Sequence, residues 1–332
     1  MHGAEAGAPG GDRRAVIISP LEWAARRWTL GPRSLRWAST AALVVSLVII
    51  LTGGVVRVTS SGLGCPTWPA CDATQVIAPI SDNLHQVIEQ TNRLLTGLVV
   101  VVVAWVIVAA RLQRPRERRV TRLAWSQFWL VVVNAVVGGV SVLALLNPWI
   151  VAAHFIMAIA LLTTTTLTWH VVHADPRRAI ATTPLSKRLA WVLIVLTAVL
   201  ICVGTMVSGS GPHSGDSSDV ARIPFDWTAI TVVHGVLGGA TIVVAAVLWL
   251  TLRGADARIP RLRVTLFFVL CVLQAVLGLV QSLTHLPETE VAFHLLGAGL
   301  VWAGALRVLL DTNGLGLRRS AVTAPASSSA AA

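Results

Sequence analysis

The residues best suited to chemistry in this chain are three histidines set in strongly apolar surroundings: His154, His234 and His294. A neutral imidazole offers one nitrogen lone pair to a metal and one N–H to a hydrogen-bond partner. Ionisable groups are costly inside a bilayer-length run and usually serve a function there. Each histidine lies a few residues inside the same end of its run. At 1.5 Å of rise per residue, all three sit roughly 6–10 Å below one membrane interface. Two imidazoles from different helices of a bundle form a natural axial pair for haem iron. Zinc wants three or four ligands close together and is the weaker reading. A lone buried histidine is as often a hydrogen-bonded packing residue. Three at one depth favour ligands.

A second polar group opens another apolar run. "VIEQTNRLLTGLVVVVVAW" (87–105) places Glu89, Asn92 and Arg93 at the lip of a valine-rich helix. His85, Glu89 and Asn92 follow a four-then-three spacing and share one helix face. Upstream, "SSGLGCPTWPACD" (60–72) carries Cys65 and Cys71 around two prolines that can bring the thiols together. The pair reads either as a loop staple, worth only roughly 2 kcal/mol for so short a loop, or as a redox-active pair beside a cofactor. Cys202 and Cys271 read as small apolar residues. His170 and His173, beside "DPRR", read as solvated interface residues, His213 and His285 as loop residues, and His2 as part of the tail.

The elements that carry these residues are membrane spans. Of the 332 residues, 55% are hydrophobic and only 12% charged, where soluble domains carry about 25% charged. Apolar runs of the length a bilayer requires, about 20 residues, recur eight times. No charge occurs from Leu123 to Ala174, enough for two spans with a turn at "NPW" (147–149). The net charge of +11 does not point to nucleic acid. Basic residues cluster in the two tails and in three connections (111–119, 175–188, 253–263), which eight spans place on one side. That is the positive-inside pattern and predicts cytoplasmic termini. No cleavable signal peptide is visible in the first 34 residues.

The chain also repeats itself. "NAVVGGVSVL" (134–143) matches "QAVLGLVQSL" (274–283) with an offset of 140, the separation of His154 and His294. "TNRLLTGLVVVVVAW" (91–105) matches "VHGVLGGATIVVAAVLW" (233–249), and "VTSSG" (58–62) matches "VSGSG" (207–211). This predicts an all-α integral membrane protein of two tandem four-helix bundles, related by a pseudo-two-fold axis along the membrane normal. Its parts are a cytoplasmic tail (1–34), an N-terminal bundle (35–172), a linker (173–187), a C-terminal bundle (188–310) and a disordered tail (311–332). The halves are not equivalent. Where the C-terminal half has His234, the N-terminal half has Asn92, and Glu89 corresponds to Thr231. One bundle is equipped for a two-ligand cofactor; the other has one histidine, an amide and a carboxylate.

Taken together, these residues resemble haem A synthase. The resemblance covers about residues 36–310 and rests on "GGVVRVTSSGLGCPTWPAC", the Glu-x-x-x-Arg of "EQTNR", and the duplicated layout with histidines at the outer ends of even spans. It implies oxidation of a methyl group of haem o to the formyl group of haem a, which terminal oxidases use. It makes His234 and His294 the axial ligands of a haem b in the C-terminal bundle. It places the substrate haem in the N-terminal bundle with His154 on its iron, Glu89 as the essential carboxylate, and Asn92 and Arg93 lining the site. It matches Cys65 and Cys71 to a disulfide-forming, cysteine-bearing branch. Many members have a histidine where this chain has Asn92, which leaves the substrate iron short of one imidazole; His85 is the alternative to weigh. Haem O synthase, an electron donor and the lipid bilayer of the cell membrane are the implied partners. A cytochrome that only transfers electrons would use His234 and His294 but leave Glu89 unexplained. A transporter would leave the histidines unexplained.

Overall fold

The structure is a computed structural model that describes residues 20–71, 83–175, 182–254 and 257–315. His2 and most of both tails lie outside the described residues. A short helix, α1 (Pro20–Arg27), precedes eight long ones: α2 (Pro32–Val58), α3 (Leu84–Arg111), α4 (Arg118–Leu143), α5 (Pro148–His173), α6 (Pro184–Ser210), α7 (Trp227–Thr251), α8 (Arg258–Leu283) and α9 (Glu288–Asn313). All eight are long and apolar enough to cross a membrane. Their starts are written in the sequence. Proline begins α2, α5 and α6, where its missing N–H loses nothing. Asn83, Asn147, Thr183 and Asp226 cap α3, α5, α6 and α7 through their side chains. Gly314 ends α9 in the left-handed region (φ 62°).

Within the first half, α2 packs on α3 and α5, and α4 packs on α3 and α5. Within the second, α6 packs on α7 and α9, and α8 packs on α7 and α9. The halves meet mainly through α2 and α9, with α5 touching α6 and α9. Ile50, Ile159, Leu162 and Ile201 fill that junction, and Trp302 Nε1 donates to Thr163 Oγ1 across it at 2.7 Å. Lipid is as apolar as leucine, so close packing and such hydrogen bonds supply the association.

The packed cores lie in the inner halves of the bundles. In the first, Ala38, Ala42, Val103, Val106 and Ala124 are buried together. In the second, Leu193, Ala245, Leu248, Val264 and Phe267 are. The outer halves, where the histidines lie, contain no comparable cluster among the described residues.

Two expectations need correction at the inner face. The last helix does not stop at 310 but runs to Asn313, because Asp311 is clamped by Arg263 (3.1 Å) and Arg307 (3.0 Å). His170 is not solvated: it is 2% exposed, and its Nε2 bonds Leu315 O at 2.8 Å. The end of α9 covers it. His173 is half-buried and stacks on Trp169.

Candidate active site

His234 of α7 and His294 of α9 face each other with ring centroids 6.3 Å apart and planes at 62°. Two metal–imidazole bonds of about 2.0–2.1 Å, with about 1.1 Å from nitrogen to ring centre on each side, require about 6 Å. The observed spacing matches that requirement. Glycines make the room. A Cβ on Gly204 of α6 would lie 3.0 Å from His234 Cε1, and one on Gly278 of α8 3.2 Å from His294 Cε1. Gly235, Gly238 and Gly239 of α7 border open space. His294 Nδ1, Ser210 Oγ and Gln281 Oε1, at the same end of this bundle, are buried without partners among the described residues, and the His234 ring stands against the backbone of Leu200. Buried polar atoms are rarely left unbonded. An open, glycine-lined space with facing imidazoles and unmet polar atoms fits a flat iron porphyrin. Among the described residues, no group of three or more His, Cys, Asp or Glu side chains is placed to hold a bare metal ion.

In the N-terminal bundle His154 is cradled in the same way, with its Cε1 2.9 Å from where a Gly138 Cβ would be. Asn134 of α4 makes the difference. With its carboxamide oriented to satisfy its neighbours, it donates to His154 O (3.2 Å) and Nδ1 (3.0 Å) and accepts from Ala158 N (3.2 Å). The orientation of such an amide is assigned from its hydrogen bonds. The His154 ring also bonds the backbone of Asn134, and the tautomer that leaves Nε2 unprotonated offers its lone pair to a metal. The counterpart Gln274 bonds only the backbone of its histidine, His294 O, at 3.0 Å.

Glu89 is 4% exposed, and both its oxygens are engaged. Oε2 accepts from Cys65 N at 2.7 Å; Oε1 accepts from Arg93 Nε at 3.1 Å and pairs with its Nη2. Arg93 donates in turn to the carbonyls of Thr67 (2.9 Å), Ala70 (3.3 Å) and Cys65 (3.2 Å). Cys65 and Cys71 are joined in a disulfide. Glu89 and Arg93 thus fasten the disulfide loop over the N-terminal bundle. Asn92 Oδ1 accepts from Thr52 Oγ1 at 2.8 Å. His85 is exposed at the start of α3, its Nδ1 3.1 Å from Ser61 Oγ. It belongs to the loop and its rim. His213 Nε2 bonds Leu286 O at 2.9 Å. His285 sits in a turn with φ 63°.

Three site residues escape a reading by residue type: Asn134, Trp68 and Gly139. The Trp68 ring lies against Gly139 on α4, where any Cβ would collide with it. The signal was in the repeat. "VVGGVS" has two glycines where "VLGLVQ" has Gly278 and Leu279. Gly138 serves His154, and Gly139 serves the loop tryptophan, which has no counterpart in the second half.

Comparison with known proteins agrees with this layout. Residues 35–306 match the family COX15-CtaA, cytochrome oxidase assembly protein. A heme A synthase of Staphylococcus epidermidis is 22% identical over 292 residues, covering 80% of this chain and 91% of the relative. That of Staphylococcus haemolyticus is 24% identical over 280 residues, covering 76% and 86%. That of Lysinibacillus sphaericus is 30% identical over 167 residues, covering 50% and 54%. The span of the match takes in both histidine sites and the disulfide loop: the chain belongs to the cytochrome oxidase assembly protein family COX15-CtaA.

Proposed function

We propose that this protein is a haem A synthase, which oxidises a methyl group of haem o to the formyl group of haem a for a terminal oxidase. The observation that carries the reading is the inequality of two similar bundles. His234 and His294 stand at two-ligand spacing, while the N-terminal bundle has His154 and, in place of a second histidine, Asn92 bonded to Thr52. Matching helix neighbours in the two halves support a duplicated unit with a pseudo-two-fold axis along the membrane normal. The basic inner connections support a cell-membrane protein with both termini in the cytoplasm.

In this reading His234 and His294 hold a resident haem b, which supplies one-electron transfer when bound. The N-terminal chamber receives haem o as substrate. His154 offers its iron a single imidazole, and a weakly held haem suits an enzyme that must exchange substrate for product. Glu89, a carboxylate held by Arg93 and the Cys65 N–H in a water-poor setting, stabilises positive charge developing at the oxidised methyl or accepts its proton. Arg93 orients that carboxylate and holds the disulfide loop, and Trp68 closes the loop on α4, excluding water. Asn92 lines the chamber as a neutral amide. Haem O synthase and an electron donor are the partners this chemistry requires.

The test is haem extraction from cells that also make haem o, with spectra of purified His234→Ala and His294→Ala proteins. The reading expects haem a from the unmutated protein and loss of the low-spin haem b spectrum in both variants. Low-spin haem without any haem a would make the protein an electron carrier. A wild-type low-spin spectrum in both variants would remove the ligand assignment.

A further inference from the structure

The mouth of the C-terminal site holds a guanidinium with no counter-ion among the described residues. Arg57 lies one residue from the outer end of α2. Its Nη2 donates to Ser208 O of α6 at 2.7 Å, so a side chain of the first bundle reaches the second. Its Nε is shielded from solvent and has no partner among the described residues. No carboxylate among the described residues pairs with it. The charge that acts on it is the cation of Arg222, whose own guanidinium is held by the carbonyls of Gly211 and Pro212. Ser210, two residues beyond Ser208, has a buried hydroxyl with no partner among the described residues. An unpaired charge taken out of water is costly, and orphaned buried donors are rare. The arrangement asks for an anion.

Its position identifies the anion's owner. One turn below Arg57, a Cβ on Gly54 would meet Leu295 Cδ1 of α9 at 3.0 Å, and Leu295 follows His294. His234 and His294 lie seven and six residues inside the outer starts of α7 and α9, about 10 Å deep at 1.5 Å per residue. Arg57 therefore stands above the pair by about the reach of a porphyrin's carboxylate arm from its centre.

We propose that Arg57, with Ser210 and the nearby charge of Arg222, binds a carboxylate of the porphyrin held by His234 and His294. The proposal rests on the reading of the C-terminal bundle as a haem site. Guanidinium and carboxylate pair through charge-assisted hydrogen bonds, stronger than neutral ones. A lipid phosphate offers the same chemistry, so the experiment must separate the two sources.

Full-length haem-free protein in neutral-lipid nanodiscs is titrated with haemin and with haemin dimethyl ester, which keeps the iron and loses the charges. The unmutated protein should prefer the free acid by about tenfold or more. Arg57→Gln should abolish the preference while binding the ester as the unmutated protein does, and Arg57→Lys should restore part of it. If Arg57→Gln does not fold, Ser210→Ala and Arg57→Lys carry the comparison, each with a reduced preference. An equal preference in the unmutated and variant proteins overturns the proposal. So does a preference that follows anionic lipid content instead of esterification, which assigns Arg57 to a headgroup. An unmutated protein that never forms a bis-histidine spectrum sinks the haem-site reading and this site with it. That spectrum without ester discrimination sinks the Arg57 site alone.

Discussion

Replacing Gly204 with alanine separates what helix α6 favours from what His234 needs. A Cβ at 204 would stand 3.0 Å from His234 Cε1 and 3.5 Å from its Nδ1. Carbon atoms rest at about 3.5–4.0 Å. The ring must therefore retreat by about half an ångström or leave its rotamer, at about 0.5–1.5 kcal/mol. The same change favours the helix by roughly 0.8–1 kcal/mol, since glycine is a poor helix former. The two terms nearly cancel in the haem-free protein, whose thermal unfolding should barely move. Only the first acts on the metal bond, where a site tolerates about 0.5 Å of error. Haem affinity should fall roughly two- to tenfold at 1.4 kcal/mol per factor of ten. Gly278→Ala, with its Cβ at 3.2 Å from His294 Cε1, should lose less. The assay is haem titration of the haem-free variants, with the low-spin band as readout. Unchanged affinity in both, or a larger loss at 278 than at 204, would refute the idea that these glycines make room for axial imidazoles.

The N-terminal chamber offers further tests. Glu89→Gln removes the charge opposite Arg93 and should lower haem a yield by about a hundredfold or more, while the low-spin C-terminal spectrum persists; a normal yield excludes Glu89 from the chemistry. A Cys65→Ser, Cys71→Ser protein should still insert, losing about 2 kcal/mol of loop restraint; failure to insert, measured by membrane fractionation, would show the loop to be part of the folding core. Asn92→His should build a second low-spin centre in substrate-loaded protein only when Val55, which stands at the repeat position of Gly204, is also changed to glycine. A low-spin centre from Asn92→His alone would show that no glycine cradle is needed there.

What could be read from the sequence was whatever depends on residue type and period. Eight spans follow from hydropathy, the three histidines from their cost in lipid, and the special position of Asn92 from one internal alignment. What could not be read was pairing across space. Glu89 pairs with Arg93 one turn along its helix, yet its partners include the backbone N–H of Cys65, a group no side-chain pattern announces. His170 looked solvated because it borders a basic connection, but the end of α9, 145 residues later, folds over it. Asn134 is an ordinary polar residue in a span until α5 brings His154 Nδ1 within 3.0 Å. Gly138 and Gly139 look like one small-residue step, yet they serve different neighbours. Comparing the halves position by position would have separated them, since Gly139 faces Leu279 in that alignment.

The division of each bundle into a packed inner half and an open outer half bears on biogenesis. A chain whose inner core closes without a ligand leaves the insertion machinery as an already structured receptor. Porphyrin uptake is then a docking event at one open end, not the nucleus around which the polypeptide condenses. Amides near Val103, Val106, Leu193 and Leu248 should resist hydrogen exchange equally with and without haem, and slow exchange gained on loading should appear only toward His234 and His294.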